Sequence, residues 1–257
     1  MTVKTGGELL FEKYLNAHCI KFEYEPPLSG TSRLIDYVVE HPTQGQILFE
    51  VKDIHNPLPA GSFFQFDPYP PVRTHIDAGS KKFKDLPDAL CALVLVAAPG
   101  SFVDLLSPHV MLGAMYGNLG FTVPFDPESG SADASLIESK FMVGQGKMVR
   151  PNCFCNTRIA ALVSLVEYNT FPKEAVLYLK TGDGRTEAER KADLYEGRIN
   201  ISQDLTPCVT VWENGTAKRR LPQDIFRGDM DAWWTCDAEG QARSFVGQRR
   251  LALKIDR

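Results

Sequence analysis

No apolar run in this 257-residue chain approaches the roughly 20 residues that a membrane-spanning helix needs. Met1 to Glu8, Met-Thr-Val-Lys-Thr-Gly-Gly-Glu, has none of the apolar character of a signal peptide, so the expectation is a soluble, cytoplasmic protein with no membrane partner. Cysteine is sparse, six in all, and no two form a C-x-x-C pair. The paired spacings of a zinc site are therefore missing, and disulfides are not expected in a reducing compartment. The one close pair, Cys153-Phe154-Cys155, reads as buried thiols. There is no excess of positive charge either. A net charge of −4 does not advertise a nucleic-acid binder, although such binding is carried by local Lys/Arg contacts rather than by the total. Two basic clusters are available for it, Lys218-Arg219-Arg220 and the stretch from Gln241 to Arg257. Nucleophilic hydrolase chemistry lacks support, because no Gly-x-Ser-x-Gly is present and no Ser, His and Asp grouping stands out. Gly182-Asp183-Gly184 lacks the lysine and the strand-loop-helix frame of a phosphate loop and reads as a turn.

What the chain does have is 44% hydrophobic residues, enough for a full core, and one informative stretch within it. Ile47-Leu48-Phe49-Glu50-Val51-Lys52 is an apolar run that ends in two charges. On a β-strand alternate side chains share a face, so Glu50 and Lys52 sit about 6–7 Å apart on one side of a sheet. Upstream, Leu34-Ile35-Asp36-Tyr37-Val38-Val39 is a second β-rich run. Pro42 and Gly45 supply turn chemistry between the two, which predicts an antiparallel hairpin with Asp36 beside Glu50. Two acids and a lysine at one sheet edge suit Mg²⁺ or Mn²⁺, since Mg²⁺ takes hard oxygen ligands and usually only one or two carboxylates. Such an ion lowers the pKa of a bound water and offsets charge on a phosphoryl oxygen.

The order Asp, spacer, Glu-x-Lys resembles the PD-(D/E)XK nuclease superfamily. The resemblance covers roughly the first half of the chain, with Ile35 where the family has its proline. It implies a restriction-endonuclease-like α/β fold, a mixed β-sheet flanked by helices, here with a C-terminal α+β extension. It also implies that Asp36 and Glu50 hold the metal and that Lys52 positions the attacking water or the phosphate. A further acid often comes from the helix before the Asp strand. Glu8 and Glu12 share a helix face, Glu8 being the first choice and Glu12 the second. Members also place a polar residue on the helix after the Glu-x-Lys strand, where Lys81 and Lys82 are the nearest equivalents, and Arg33 in the preceding loop is a candidate phosphate contact. The implied activity is metal-dependent hydrolysis of phosphodiester bonds, in DNA ahead of RNA, in restriction, defence or repair, with a homodimer as an open option. The alternative is a module of the same fold that binds nucleic acid or assembles without chemistry.

The remaining pattern gives the organisation. Gly6 to Leu15 reads as a helix, Ile20 to Tyr24 as a half-exposed strand, Val72 to Leu86 as a helix and Ala89 to Ala98 as a strand covered on both faces. Asp53 to Pro71 is a long loop whose Phe63, Phe64, Phe66 and Tyr69 pack on the core or stack on bases. His55 and His75 read as structural or surface groups. Phe125 to Ser135 is the best internal boundary, separating a nuclease-like core over 1–124 from a C-terminal part over 136–257. Within that second part, Thr157 to Tyr168 reads as a buried helix capped by Asn156 or Thr157. Ala175 to Leu179 reads as a strand, and Asn214-Gly215 as a hairpin turn. Asp229 and Asp231 read as turn residues. Glu138-Ser139-Lys140 repeats the Glu-x-Lys spacing after a Pro/Ser/Gly/Asp-rich stretch and reads as a solvated helix or loop.

Overall fold

The computed structural model describes residues 3–28, 34–57, 67–86, 88–122, 125–126, 128, 131–132, 138–142, 145–150, 152–170, 185–186, 188–189, 204–236 and 242–246. The chain forms two compact units, one of Met1–Leu165 with Val209–Arg257 and one of Val166–Cys208. The first unit opens with helix α1, Gly6–Ala17. Thr5 caps it through a reciprocal pair, its hydroxyl accepting from the Glu8 amide at 3.3 Å while the Glu8 carboxylate accepts from the Thr5 amide at 2.6 Å. Strands β1 (Phe22–Tyr24), β2 (Tyr37–His41) and β3 (Gly45–Ile54) follow, each antiparallel to the last. Gly45 takes the tight turn at φ +69°, where a side chain would be strained.

Helix α2, Tyr69–Lys82, starts with prolines in its first turn, where their missing N–H groups cost nothing, and runs into a short 3₁₀ turn at Phe83–Asp85. Strand β4, Leu90–Ala97, then pairs parallel to β3, so the strand-helix-strand order closes as a crossover and the sheet is mixed, as the sequence pattern predicts. Gly79 lets the helix approach the sheet, since a Cβ there would lie 3.1 Å from Leu93. Helix α3, Pro108–Tyr116, is buried from Val110 onward. Short strands β5 (Asn118–Thr122), β6 (Phe125–Asp126), β7 (Ser131–Ala132), β8 (Glu138–Met142), β9 (Val149–Arg150) and β10 (Cys153–Phe154) form three two-stranded pairs, β5 with β8, β6 with β7 and β9 with β10.

The main sheet resumes with β11 (Ile159–Thr170), β12 (Asp204–Glu213), β13 (Ala232–Cys236) and β14 (Ala242–Val246), in the order β1-β2-β3-β4-β11-β12-β13-β14. Alternation along β3 divides the core: Leu48 and Ile54 pack with α2 and α3, whereas Ile47, Phe49 and Val51 pack with Phe11, Tyr14 and Leu15 of α1. In the second unit, Thr186 and Glu189 make a local hydroxyl–carboxylate pair at 2.9 Å, and the buried Cys208 thiol donates to the Thr206 carbonyl at 3.5 Å.

Four expectations are corrected. The run expected as a helix over Thr157 to Tyr168 is strand β11, parallel to β4 and buried on both faces, and Asn156 is a turn residue at φ +49° rather than a cap. The Asn214-Gly215 pair does not close a hairpin, because β13 returns parallel to β12. Asn214 is wholly buried instead, its amide donating to the Ile159 carbonyl at 2.8 Å and its oxygen accepting from the Thr216 amide at 3.1 Å. Glu138-Ser139-Lys140 lies in strand β8, not in a helix or loop. Cys153 is exposed and Cys155 half-exposed, their sulfurs 3.7 Å apart, rather than buried. The Ala175 to Leu179 strand, Gly182 to Gly184, the aromatics at 63, 64 and 66, and Arg33 lie outside the described residues.

Candidate functional site

Pairing of Tyr37 with Phe49 puts Asp36, one residue before β2, opposite Glu50 on β3. Burial then fixes both carboxylates. Glu50 is completely buried and Asp36 is 7% exposed. Asp36 Oδ2 accepts from the Val51 amide at 2.7 Å, which ties the acid to the strand beside it. Lys52 Nζ reaches back to Glu50 Oε1 at 2.5 Å. Lys82, from the last turn of α2, completes the group: its ammonium lies 2.6 Å from Glu50 Oε1, 2.5 Å from Oε2 and 3.2 Å from Asp36 Oδ1. The two acids therefore flank a single nitrogen.

The electrostatics follow from that packing. Burial pushes the Glu50 carboxyl above the usual carboxylate range and the Asp36 charge adds to the push, while hydrogen bonds from Lys52 and Lys82 pull it partly back. Burial alone would lower the Lys82 ammonium, but its hydrogen bond and ion pair with Glu50, helped by Asp36, outweigh that and raise it. Both ammonium groups sit at the mouth of the cluster, the Lys52 side chain 30% exposed and the Lys82 side chain 26% exposed. His75 on α2 is half-buried and has its pKa lowered by burial and by the nearby Lys52 and His55 charges.

The donor set suits a small hard cation in number and kind: two carboxylates within reach of one point, with Glu50 Oε2 buried and lacking a well-aligned hydrogen-bond donor. Glu8 lies elsewhere. Its carboxylate is occupied by the Thr5 amide at the start of α1, and its carbonyl accepts from the Tyr37 hydroxyl at 3.0 Å. Glu12 is paired with Lys4 and accepts from the Tyr37 hydroxyl at 3.3 Å. Among the described residues no group of three or more His, Cys, Asp or Glu side chains gathers to hold a metal. The structure thus brings together Asp36, Glu50, Lys52 and Lys82, and leaves Glu8 apart. Lys81 is exposed, one residue away from the inward-turned Lys82.

Contacts elsewhere in the chain bear on two further sequence features. In the Lys218-Arg219-Arg220 cluster, Arg219 donates to the Asp88 and Gln44 carbonyls and Arg220 pairs with Glu213 at 3.1 Å, so both arginines have structural partners. Asp231 is more than a turn residue: buried, it accepts from the Tyr14 hydroxyl at 2.5 Å, the Gly228 amide at 2.5 Å and the Val209 amide at 3.0 Å. Sequence reasoning missed a buried arginine on α2, Arg73, because an i, i+3 or i+4 pattern of apolar positions gives no signal for a charged residue among them. Among the described residues no helix is long and apolar enough to cross a membrane. No family model, curated protein or solved structure matches the chain.

Proposed function

We propose that the chain is a metal-dependent phosphodiesterase acting on nucleic acid, with DNA favoured over RNA on the resemblance of its Asp, spacer, Glu-x-Lys order to the PD-(D/E)XK nucleases. The observation that carries the reading is the convergence of Asp36 and Glu50 on one ammonium, with a second ammonium, Lys52, on Glu50. Asp36 and Glu50 would hold Mg²⁺ or Mn²⁺, which when bound supplies Lewis-acid stabilisation of a phosphoryl oxygen and a more acidic water. The other roles belong to this chain's own residues. Lys52, fixed on β3 and open to solvent at its tip, orients a phosphate oxygen or the attacking water. Lys82 balances the second carboxylate and, being on a long flexible stem, would have to give way for a cation to be held there. The Val51 amide holds Asp36 in register, so the acid does not have to be ordered when substrate arrives.

The competing reading keeps the fold without the chemistry, and one feature favours it: each carboxylate already has an ammonium partner. One experiment separates them. Supercoiled plasmid, single-stranded DNA and RNA are incubated with the protein in Mg²⁺, in Mn²⁺ or in chelator, alongside Glu50→Gln and Lys52→Ala. Metal-dependent cleavage of the DNA substrates that both substitutions abolish supports the nuclease. Cleavage that persists unchanged in Glu50→Gln ends that assignment, and metal-independent binding without cleavage selects the alternative.

A further inference from the structure

Helix α2 presents charge on two sides. Lys82 turns toward Asp36 and Glu50, while Arg73, nine residues earlier, lies about half a turn around the helix at roughly 100° per residue. There it lines a separate cleft of about 630 Å³ together with Asp77, Lys147 and Arg150. That volume is within the roughly 300–1,000 Å³ that small ligands occupy.

Arg73 is the unusual member. It is 8% exposed, yet every acceptor it has is neutral. Its Nη2 donates to the Gly113 carbonyl at 2.9 Å and to Asn118 Oδ1 at 2.8 Å, its Nη1 is 3.4 Å from Gln145 Oε1, and its plane lies 4.8 Å from the Tyr69 ring centre. Its Nε is buried with no acceptor at all. No described carboxylate makes an ion pair with it; burial lowers its pKa, and the more distant Asp67 charge offsets that only in part. Among the described residues of the cleft wall the one carboxylate, Asp77, is taken by Lys147 at 2.5 Å, and Arg150 stands exposed beside them. Among the described residues of the cleft wall, three cations thus face one carboxylate. They differ in kind, two guanidinium planes and one ammonium, a combination suited to a tetrahedral anion with several acceptor oxygens.

We infer that this cleft binds a phosphate group, carried either by a mononucleotide-sized ligand or by a nucleic-acid strand, with Arg73, Lys147 and Arg150 as its donors. The inference is independent of the metal-site reading, because the cleft shares no residue with the Asp36 and Glu50 cluster. Phosphate competes with Asp77 for Lys147. Removing that carboxylate should therefore strengthen binding, a direction that loss of fold cannot produce.

The test is calorimetric titration of the full chain at low salt with inorganic phosphate, adenosine monophosphate and a short oligonucleotide with and without a terminal phosphate. Saturable binding is expected, weakened about three- to tenfold by Lys147→Gln and by Arg150→Gln and tightened by Asp77→Asn. Lys147 and Arg150 are at the surface, so these variants stand even if Arg73→Gln fails to fold. A mononucleotide binding as tightly as the oligonucleotide identifies a small ligand; binding of the oligonucleotide alone identifies a strand. Absence of saturable binding by every probe, or affinities that none of the three cleft substitutions moves, overturns the inference.

Discussion

Lys82→Met is the most informative single change, because it removes one charge while keeping the length and apolar stem of the side chain. In the native protein that ammonium touches both Glu50 oxygens and one Asp36 oxygen. Without it, a completely buried carboxylate stands beside a second buried carboxylate with only Lys52 to balance them. Breaking a buried ion pair from one side costs about 3–5 kcal/mol. The lower end applies here, about 3 kcal/mol, since the Lys82 side chain is a quarter exposed and solvent screens part of the contact. For a chain of this size that corresponds to a fall in melting temperature of about 6–12 °C. The pH dependence has a definite sign. Glu50 already has a raised pKa, and losing Lys82 removes one of the groups that lowers it, so the pKa rises further. A carboxyl with a raised folded pKa favours the folded state most when protonated. The deficit of the variant is then full above the raised Glu50 pKa and shrinks as pH falls through it toward the ordinary carboxylate range. At the alkaline end, the raised Lys82 pKa makes its contribution in the native protein complete below the ordinary lysine value and lost as pH climbs through the folded one. Urea unfolding of both proteins across pH measures the difference. A variant within about 0.5 kcal/mol of the native protein at neutral pH, the scatter of ordinary surface changes, or a gap that does not narrow in acid, would refute the reasoning.

Three other changes test the packing around the site and the core. Asp36→Leu leaves the buried Val51 amide without its acceptor and should cost about 1–3 kcal/mol by chemical denaturation, whereas Asp36→Asn, which keeps an acceptor oxygen, should cost clearly less; equal losses would show that the hydrogen bond is unimportant. Asp231→Ala strands three donors, from Tyr14, Gly228 and Val209, so a drop of at least about 3 kcal/mol is expected in thermal unfolding, and a change under about 1 kcal/mol would contradict it. Gly113→Ala would place a Cβ 2.3 Å from the Tyr69 ring, forcing apart α2 and α3 at a cost of about 1–3 kcal/mol; an unchanged melting temperature would mean the helices separate freely.

The first half of the fold was legible because its signals agree with one another. Period-two alternation, a turn containing Pro42 and Gly45, and an apolar run closed by Pro99-Gly100 all point to the same hairpin and crossover that β2, β3 and β4 form. The second half was not, because its local signals are ambiguous. Ile159 to Val166 is apolar but for Ser164 and has no period, and such a run fits a buried helix and a central strand equally; its place between β4 and β12 in the sheet decides for the strand. Asn214 carries the composition of a hairpin turn, but its side chain is drawn inward to the Ile159 carbonyl, a tertiary contact with no local signature. Lys82 and Lys81 were indistinguishable as neighbours on one helix. The helix packs with Lys82 toward the sheet, and Lys81, about 100° further round, is left exposed.

Charge balance explains why the legible part of the site is also its least self-sufficient part. Two carboxylates and two ammonium groups make the Asp36, Glu50, Lys52 and Lys82 cluster formally neutral, which is what allows Glu50 to lie wholly out of water. A divalent cation added to that arrangement would leave an excess of two positive charges, which withdrawal of one ammonium would halve. Lys52 is held by β3 on the strand that also carries Glu50, so it has less room to retreat; Lys82 comes from a different element and can swing its long stem toward solvent. In the proposed reading, therefore, the contact that stabilises the cation-free fold is the one a metal must displace. On that reading stability and metal affinity would be set in opposite directions by one side chain on α2, outside the Asp, spacer, Glu-x-Lys pattern that draws attention to the site.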